Sequence, residues 1–331
     1  MIQNVKLLGT GTYLPKRLVT AAEIDQRIQA PSGWTMKKAG VAVRHFVQDE
    51  TASQMGALAA AQALQNAGLK ATEIDCIVAA ASVGEQPIPC SAALLQEAMG
   101  LADSGIPCFD INSTCLSFLV ALDLVSHLVT AGRYRRVLIV SSEIASVGLD
   151  WSDKESAALF GDGAAAVVIG PSAPGESSRI LGARLETYSR GAHLSEIRGG
   201  GTRVHPRIHS PATAREFLFS MDGTAIFKLA SRLMPDFLGA LLEPIGCTVR
   251  DLKLVIPHQA SAMAMRLLQR KLGVTDAQLM NIVANHGNTI AASIPMGLHE
   301  AIVQGRLQRG DRALLIGTSA GLSLGGLVLD Y

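Results

Sequence analysis

Short β-rich runs alternate along this chain with longer stretches of alanine and leucine, and that alternation most narrows the folds open to it. Strands are predicted at 5–9, 77–82, 108–111, 137–142, 164–169, 254–257, 282–284, 313–317 and 324–329. Helices are predicted at 53–67, 92–99, 115–129, 224–242, 260–272 and 295–304. The pattern is that of an α/β protein. An internal echo runs through it. A helix followed by Gly132-Arg133-Tyr134-Arg135-Arg136-Val137-Leu138-Ile139-Val140-Ser141 returns as a helix followed by Gly310-Asp311-Arg312-Ala313-Leu314-Leu315-Ile316-Gly317-Thr318-Ser319. Ile74-Asp75-Cys76-Ile77-Val78-Ala79 similarly returns as Leu252-Lys253-Leu254-Val255-Ile256-Pro257. The pairs keep their order in both halves, which fits a duplicated βαβ architecture, although short apolar strands also recur by chance.

The chain has 331 residues, enough for two core-bearing halves. It is 48% hydrophobic and only 17% charged, so disorder is excluded and an oligomer that covers surplus apolar surface is expected. With 29 basic and 28 acidic residues, nothing global attracts nucleic acid or an anionic membrane. The most apolar helix, 115–129, is interrupted by Asp123 and His127 and falls short of the ~18 clean residues of a membrane span. The N-terminus turns polar and glycine-rich too soon for a signal peptide and reads as a first strand. Five cysteines without CxxC spacing suggest neither a disulfide framework nor a zinc knuckle, and a reducing cytoplasm is the expected location. Between the halves, 184–215 carries Arg190, Arg198, Arg203, Arg207 and Gly199-Gly200-Gly201, and reads as a mobile basic surface connector rather than an anion site. His205 and His209 lie on a proline-flanked loop and make a poor zinc site.

Three motifs carry chemistry. Asn112-Ser113-Thr114-Cys115 joins a strand to an apolar helix, where free amides and the positive helix end are expected to lower the thiol pKa and could hold an oxyanion. A cysteine there is also often just a small buried hydrophobe. Pro257-His258-Gln259-Ala260 places a histidine at a strand end before a helix, and Gly287-Asn288-Thr289 places an amide at a second such crossing. Ligands and reactive groups gather at the carboxyl ends of strands in such folds. A neutral imidazole and a carboxamide can donate hydrogen bonds to an enolate or thioester oxygen.

These motifs resemble the Cys-His-Asn triad of β-ketoacyl-acyl-carrier-protein synthase III, in the thiolase superfamily. The likeness extends to Gly9-Thr10-Gly11-Thr12-Tyr13-Leu14-Pro15, Phe160-Gly161-Asp162-Gly163-Ala164 and Ala320-Gly321-Leu322-Ser323-Leu324-Gly325. The resemblance implies a thiolase-like five-layered α-β-α-β-α sandwich with two similar halves, 1–175 carrying the nucleophile and 176–331 carrying the histidine and asparagine. It implies a homodimer that needs no metal or redox cofactor. It also implies that an acyl-CoA acylates Cys115, that the Cys115 and Ala320 amides form the oxyanion hole, and that His258 and Asn288 hold the enolate formed when a malonyl thioester loses CO2. The extender would ride on acyl carrier protein or on CoA.

By the same resemblance, Trp34 matches the residue stacked on the CoA adenine, while Gly223 and Phe227 line the pantetheine tunnel. Lys228, Arg270 and Lys271 match a basic patch for an acidic carrier protein. The chain departs from the family elsewhere. Lys38 and Lys154 stand in place of arginines, keeping charge but losing the flat guanidinium. Thr224 and Ser261 replace asparagines, and Met263 replaces an arginine for which Arg266, one turn on, could compensate. Ile88 replaces a phenylalanine that reaches across the dimer to limit the acyl pocket, so a longer or branched donor than acetyl is expected. The alternative is a specialised secondary-metabolism enzyme of the same family that transfers acyl groups without elongation. A degradative thiolase lacks support, since no cysteine follows Cys247. Plant-type polyketide synthases, which share the triad, usually run longer. A nucleotide-binding oxidoreductase lacks the third glycine of its fingerprint at Gly9-Thr10-Gly11-Thr12-Tyr13-Leu14. A non-catalytic subunit would not need the intact triad.

Overall fold

In the computed structural model, which describes residues 2–331, the chain opens with strand β1 (Val5–Tyr13) and the short strand β2 (Arg17–Thr20). Helices α1 (Ala21–Arg27) and α2 (Trp34–Ala39) follow, then β3 (Val43–Phe46), which pairs with β2. Next come α3 (Ala52–Ala67), β4 (Cys76–Ala79), α4 (Ser91–Ala98), β5 (Cys108–Asp110) and α5 (Ser117–Thr130). The first half closes with β6 (Val137–Glu143), α6 (Lys154–Ala157) and β7 (Gly163–Pro171). The second half begins with β8 (Arg179–Thr187), then β9 (Ser195–Glu196), β10 (Ser220–Met221) and α7 (Gly223–Leu242). It continues through β11 (Leu254–Pro257), α8 (Ala262–Leu272), α9 (Val283–His286), α10 (Ser293–Val303), β12 (Arg312–Ser319) and β13 (Ser323–Asp330).

Two sheets result. One has the order β1-β7-β6-β4-β5 and the other β8-β13-β12-β11. In the first, β6, β4 and β5 run parallel, while β7 is antiparallel to both β6 and β1. In the second, β12 and β11 run parallel, while β13 is antiparallel to both β12 and β8. The directions match strand for strand. Only a single parallel bridge, Val255 with Leu279, stands where β5 would be. The echoed segments fall on β4 and β11, and on β6 and β12.

Alternation within each strand builds the layers. Ile77, Leu138 and Val168 face outward against Met55, Ala59, Ala63 and Leu95 of α3 and α4. Their neighbours Val78, Ile139 and Val167 face inward, against Phe118, Leu119 and Leu122 of α5 and Ile294, Met296 and Leu298 of α10. The inner face of the second sheet meets the same two helices through Leu254, Ile256, Leu315 and Leu327. Its outer face carries Val255, Leu314, Ile316 and Val328 beneath α7 and α8. This is the five-layered α-β-α-β-α sandwich. Strands buried on both faces need continuous apolar runs, which accounts for the high apolar content.

Some local expectations change. The predicted strand 282–284 lies in the single turn of α9, which Gly287 ends at φ 67°. The predicted connector 184–215 starts as strand, because β8 pairs with β13 as far as Thr187 with Ser323. β8 escapes the sequence pattern because it is an edge strand carrying Arg179, Arg184 and Glu186 among its apolar residues. The rest of the connector is closed by the pairing of β9 with β10. Several of its charges are paired, Arg198 with Glu216 at 2.9 Å among them. Among the described residues, no helix is long and apolar enough to cross a membrane.

α3 packs closely on β1 at Gly11, where a Cβ would fall on backbone atoms of Ala59 and Ala63 in α3. Gly11→Ala is expected to cost about 2–3 kcal/mol of stability, as overpacking against backbone does. The readout is a fall in the urea unfolding midpoint. An unchanged midpoint would show that α3 can slide outward freely.

Candidate active site

Cys115 sits in a 3₁₀ turn, Thr114–Leu116, that leads into α5. Asn112 builds the turn: its Oδ1 accepts from the Thr114 amide at 2.9 Å, and its Nδ2 donates to the Ser82 carbonyl at 2.7 Å. Thr114 is held at φ 49°, an uncommon value for a β-branched residue. Ser117 Oγ accepts from the Ser113 amide at 2.9 Å and donates to the Thr114 carbonyl at 2.7 Å, closing the start of α5.

The same device occurs at the start of α10. Asn288 Oδ1 accepts from the Ile290 amide at 2.9 Å, Ile290 is held at φ 50°, and Ser293 opens the helix after a 3₁₀ turn, Ile290–Ala292. Asn112-Ser113-Thr114-Cys115-Leu116-Ser117 and Asn288-Thr289-Ile290-Ala291-Ala292-Ser293 are therefore structural counterparts. The strand expected before Asn288 is replaced by the turn of α9. The backbone of Asn288 bridges instead to Phe160, accepting from the Gly161 amide and donating to the Leu159 carbonyl. With Oδ1 engaged, the Asn288 amide Nδ2 is left without an acceptor among the described residues.

His258 follows the last residue of β11, and its amide donates to the Ile316 carbonyl at 2.8 Å. Gly317 makes room for it, since a Cβ there would come within 2.8 Å of the His258 Cβ. Nδ1 lies 2.6 Å from Ser293 Oγ. Gln259 anchors the segment: Nε2 donates to the Pro257 and Met280 carbonyls, and Oε1 accepts from the Ile282 amide. Burial pushes the His258 pKa down to about 4, so the ring is neutral at physiological pH.

Burial acts on the thiol as well. Its side chain touches the cavity, yet the surrounding walls shield it from bulk water. Burial first, and then the carboxylate of Glu143, push the Cys115 thiol up to about 12. The expected lowering by the helix start is overridden in the resting protein. Glu143 ends β6 as a buried carboxylate that accepts from the Ser82 amide at 2.6 Å and the Ser82 hydroxyl at 2.7 Å. Amides of Ala291 and Val83 also favour its charged form, but burial outweighs them and pushes it up to about 7.

Cys115, His258, Asn288 and Ala320 all line one cavity of about 920 Å³. Its walls are mostly apolar, with Leu149, Phe219, Met234, Leu268 and Leu322 among them. Of the other residues singled out in the sequence, Lys38, Gly223, Thr224, Phe227, Ser261, Met263 and Lys271 also line it. Trp34 and Lys154 do not. Trp34 packs half-buried against the outer core of the second half, and Lys154 Nζ donates to the Gln29 carbonyl at 3.0 Å. Ile88 is 84% exposed and lies outside this chain's own cavity. Lys228, Arg266, Arg270 and Lys271 are exposed on α7 and α8, and among the described residues none pairs with a carboxylate. The connector contributes Ile197, Gly199 and Gly200 to the cavity wall, which corrects its reading as surface alone. Among the described residues, no three His, Cys, Asp or Glu side chains cluster closely enough to hold a metal.

Sequence reasoning missed Glu143 and Ser293. Glu143 had a signal, an acid directly after an apolar strand run. Ser293 had none, because its partner lies 35 residues away.

The model of 3-oxoacyl-[acyl-carrier-protein] synthase III matches residues 109–189, and that of the family's C-terminal region matches 242–331. The β-ketoacyl-[acyl-carrier-protein] synthase III of Aquifex aeolicus is 33% identical, covering 99% of this chain and 100% of that one. The crystal structure of the 3-oxoacyl-[acyl-carrier-protein] synthase III from that organism superposes with a TM-score of 0.88 at 32% identity, covering 99% of this chain and 100% of the other. A priming β-ketosynthase from a polyketide biosynthetic pathway superposes with a TM-score of 0.87 at 28% identity, covering 99% and 96%.

The raised thiol has a direct consequence for labelling. Thiolate is the reactive form, so iodoacetamide alkylation of Cys115 should climb about tenfold per pH unit from pH 7 to pH 10 without levelling. A plateau below pH 9 would mean that the helix start dominates after all.

Proposed function

Because the chain belongs to the 3-oxoacyl-[acyl-carrier-protein] synthase III family, acyl-transferring condensing enzymes, we propose that it joins an acyl group carried on Cys115 to a malonyl thioester with loss of CO2. The observation that carries this reading is the convergence, on one apolar cavity, of a shielded thiol and two donors held by their other atoms, His258 and Asn288.

In the first step, Cys115 Sγ attacks the thioester carbonyl of an acyl-CoA. The Cys115 and Ala320 amides, both in the cavity wall, stabilise the developing oxyanion. The carbon–sulfur bond to CoA breaks, and the thiol proton leaves with CoA thiolate. Since the resting thiol is protonated, no standing ion pair with His258 is required, and the imidazole stays neutral as a donor. In the second step, the malonyl thioester enters with its carbonyl oxygen between His258 and Asn288. The electron pair of the breaking bond to CO2 passes into an enolate, whose oxygen these two donors hold. The carbanion then attacks the acyl carbonyl, the bond to Cys115 Sγ breaks, and the returning thiolate takes up a proton.

An apolar cavity of about 920 Å³ suits a donor larger than acetyl, in keeping with isoleucine at position 88. Lys38 and Lys271 at the cavity wall, with Lys228, Arg266 and Arg270 nearby on α7 and α8, suit the phosphates of CoA and an acidic carrier protein. A second reading is acyl transfer without elongation in a specialised pathway; the likeness to the polyketide priming β-ketosynthase bears on the specialised pathway alone. Release of CO2 from malonyl thioester separates the two.

Incubation with acyl-CoAs from acetyl to tetradecanoyl should add the acyl mass at Cys115, with medium-length or branched donors reacting fastest. Cys115→Ala should abolish the adduct. An unlabelled wild type, or a strong preference for acetyl-CoA, would sink the catalytic claim or the donor claim respectively. His258→Ala and Asn288→Ala should each lower malonyl decarboxylation by about 10²–10³-fold, the usual loss when one donor to a developing oxyanion is removed.

A further inference from the structure

We propose that Ser293 is a positioning residue that holds His258 in the tautomer carrying its proton on Nε2. The structure gives Ser293 Oγ two partners, both buried: the His258 Nδ1 at 2.6 Å and the Gln259 amide at 3.3 Å. The Gln259 amide can only donate, so it uses one lone pair of the hydroxyl. The hydroxyl proton then needs an acceptor, and among the described residues Nδ1 is the only one within hydrogen-bonding distance. Were Nδ1 protonated instead, a fully buried O–H would be left unpaired, which native interiors avoid.

The duplicated turn at the start of α5 shows that this is a redirection rather than a general habit of the motif. There Ser117, the counterpart of Ser293, turns its hydroxyl onto the Thr114 carbonyl at 2.7 Å, with the Ala81 carbonyl at 3.2 Å. Neither equivalent bond, to Ile290 or to the Gln259 carbonyl, is made by Ser293. Its proton goes to the imidazole.

The consequence is directional. With Nδ1 an acceptor, Nε2 carries the only ring proton, has no hydrogen-bond partner among the described residues and belongs to a side chain in the cavity wall. An Nε2–H donor can hold an enolate oxygen; an Nε2 lone pair would repel it. The inference rests on the condensing reading for its kinetic arm, but the tautomer itself can be read without any substrate.

The test compares wild type with Ser293→Ala and Ser293→Thr, labelled with ¹⁵N-histidine. Two-bond ¹H–¹⁵N spectra are expected to show His258 protonated on Nε2 in the wild type and in Ser293→Thr. In Ser293→Ala the ring should shift wholly or partly to the Nδ1–H form. A wild-type ring protonated on Nδ1, or a tautomer unmoved by Ser293→Ala, overturns the proposal. In parallel, Ser293→Ala should lower malonyl decarboxylation by about 10- to 100-fold, by analogy with metal-bound histidines whose other ring nitrogen loses its partner. Acylation of Cys115, followed by intact mass, should keep its wild-type rate; an equal fall in both steps would point to general disruption and against a positioning role. If the wild type itself releases no CO2, the condensing reading fails while the tautomer result still stands. Should Ser293→Thr fail to fold around its extra methyl, the spectrum of Ser293→Ala decides alone.

Discussion

Two helices buried between two sheets hold the site together. α5 begins two residues after Cys115, and α10 begins five residues after Asn288, so the groups that frame the cavity are fixed to the starts of elements buried along most of their length. Ser293 to His299 are buried without a break, and Phe118, Leu119, Leu122 and Val125 of α5 contact strands of both sheets through one continuous core. A helix packed on both sides cannot rotate or shift without opening voids along its length. The positions of the thiol and the carboxamide are thus set by the whole middle layer.

The same burial explains the electrostatics. The Cys115 thiol is raised, the His258 imidazole is lowered and the Glu143 carboxyl is raised, and in each case loss of water is the leading cause. All three shifts move toward the neutral form. A resting site that carries little charge suits chemistry in which charge appears only transiently, on an oxyanion or an enolate, and is met there by donors already in place. Glu143 also ties parts together. It binds the Ser82 and Val83 amides and the Ala291 amide, joining the loop after β4 to the turn that follows Asn288, next to Cys115.

The layered fold was legible because its physics is periodic. Strands covered on both faces produce unbroken apolar runs, and the echo of β4 in β11 and of β6 in β12 shows two sheets of like topology. The site motifs were legible because each lies at a junction between a strand or helix and the next element. What escaped detection is non-local or compensated. The edge strand β8 hides behind its charges, and the 282–284 segment has strand composition but enters a helical turn, the nearby bridge being that of Leu279 with Val255. The thiol pKa was misjudged because helix-start amides are visible in a sequence, whereas the enclosing walls come from segments scattered along the chain, 82–83, 143–149, 257–268 and 316–322 among them. Ser293 carries no mark at all until the fold brings it to Nδ1 of His258.

The duplication bears on why the nucleophile and the donors come from different halves. Asn112 and Asn288 shape equivalent turns, each with its Oδ1 on the amide two residues ahead and each followed by a residue at φ near 50°. In one copy Nδ2 is tied to the Ser82 carbonyl and a cysteine occupies the fourth position; in the other Nδ2 has no acceptor among the described residues and alanine takes that place. One local structure therefore serves twice, once to seat a thiol and once to present a donor. Both turns end in a helix whose start adjoins the cavity, and an α-helix start carries partial positive charge. Burial outweighs that field at the resting thiol, which stays protonated. The field gains its effect when negative charge develops between the two helix starts, so the arrangement favours the charged states of the reaction over the resting one.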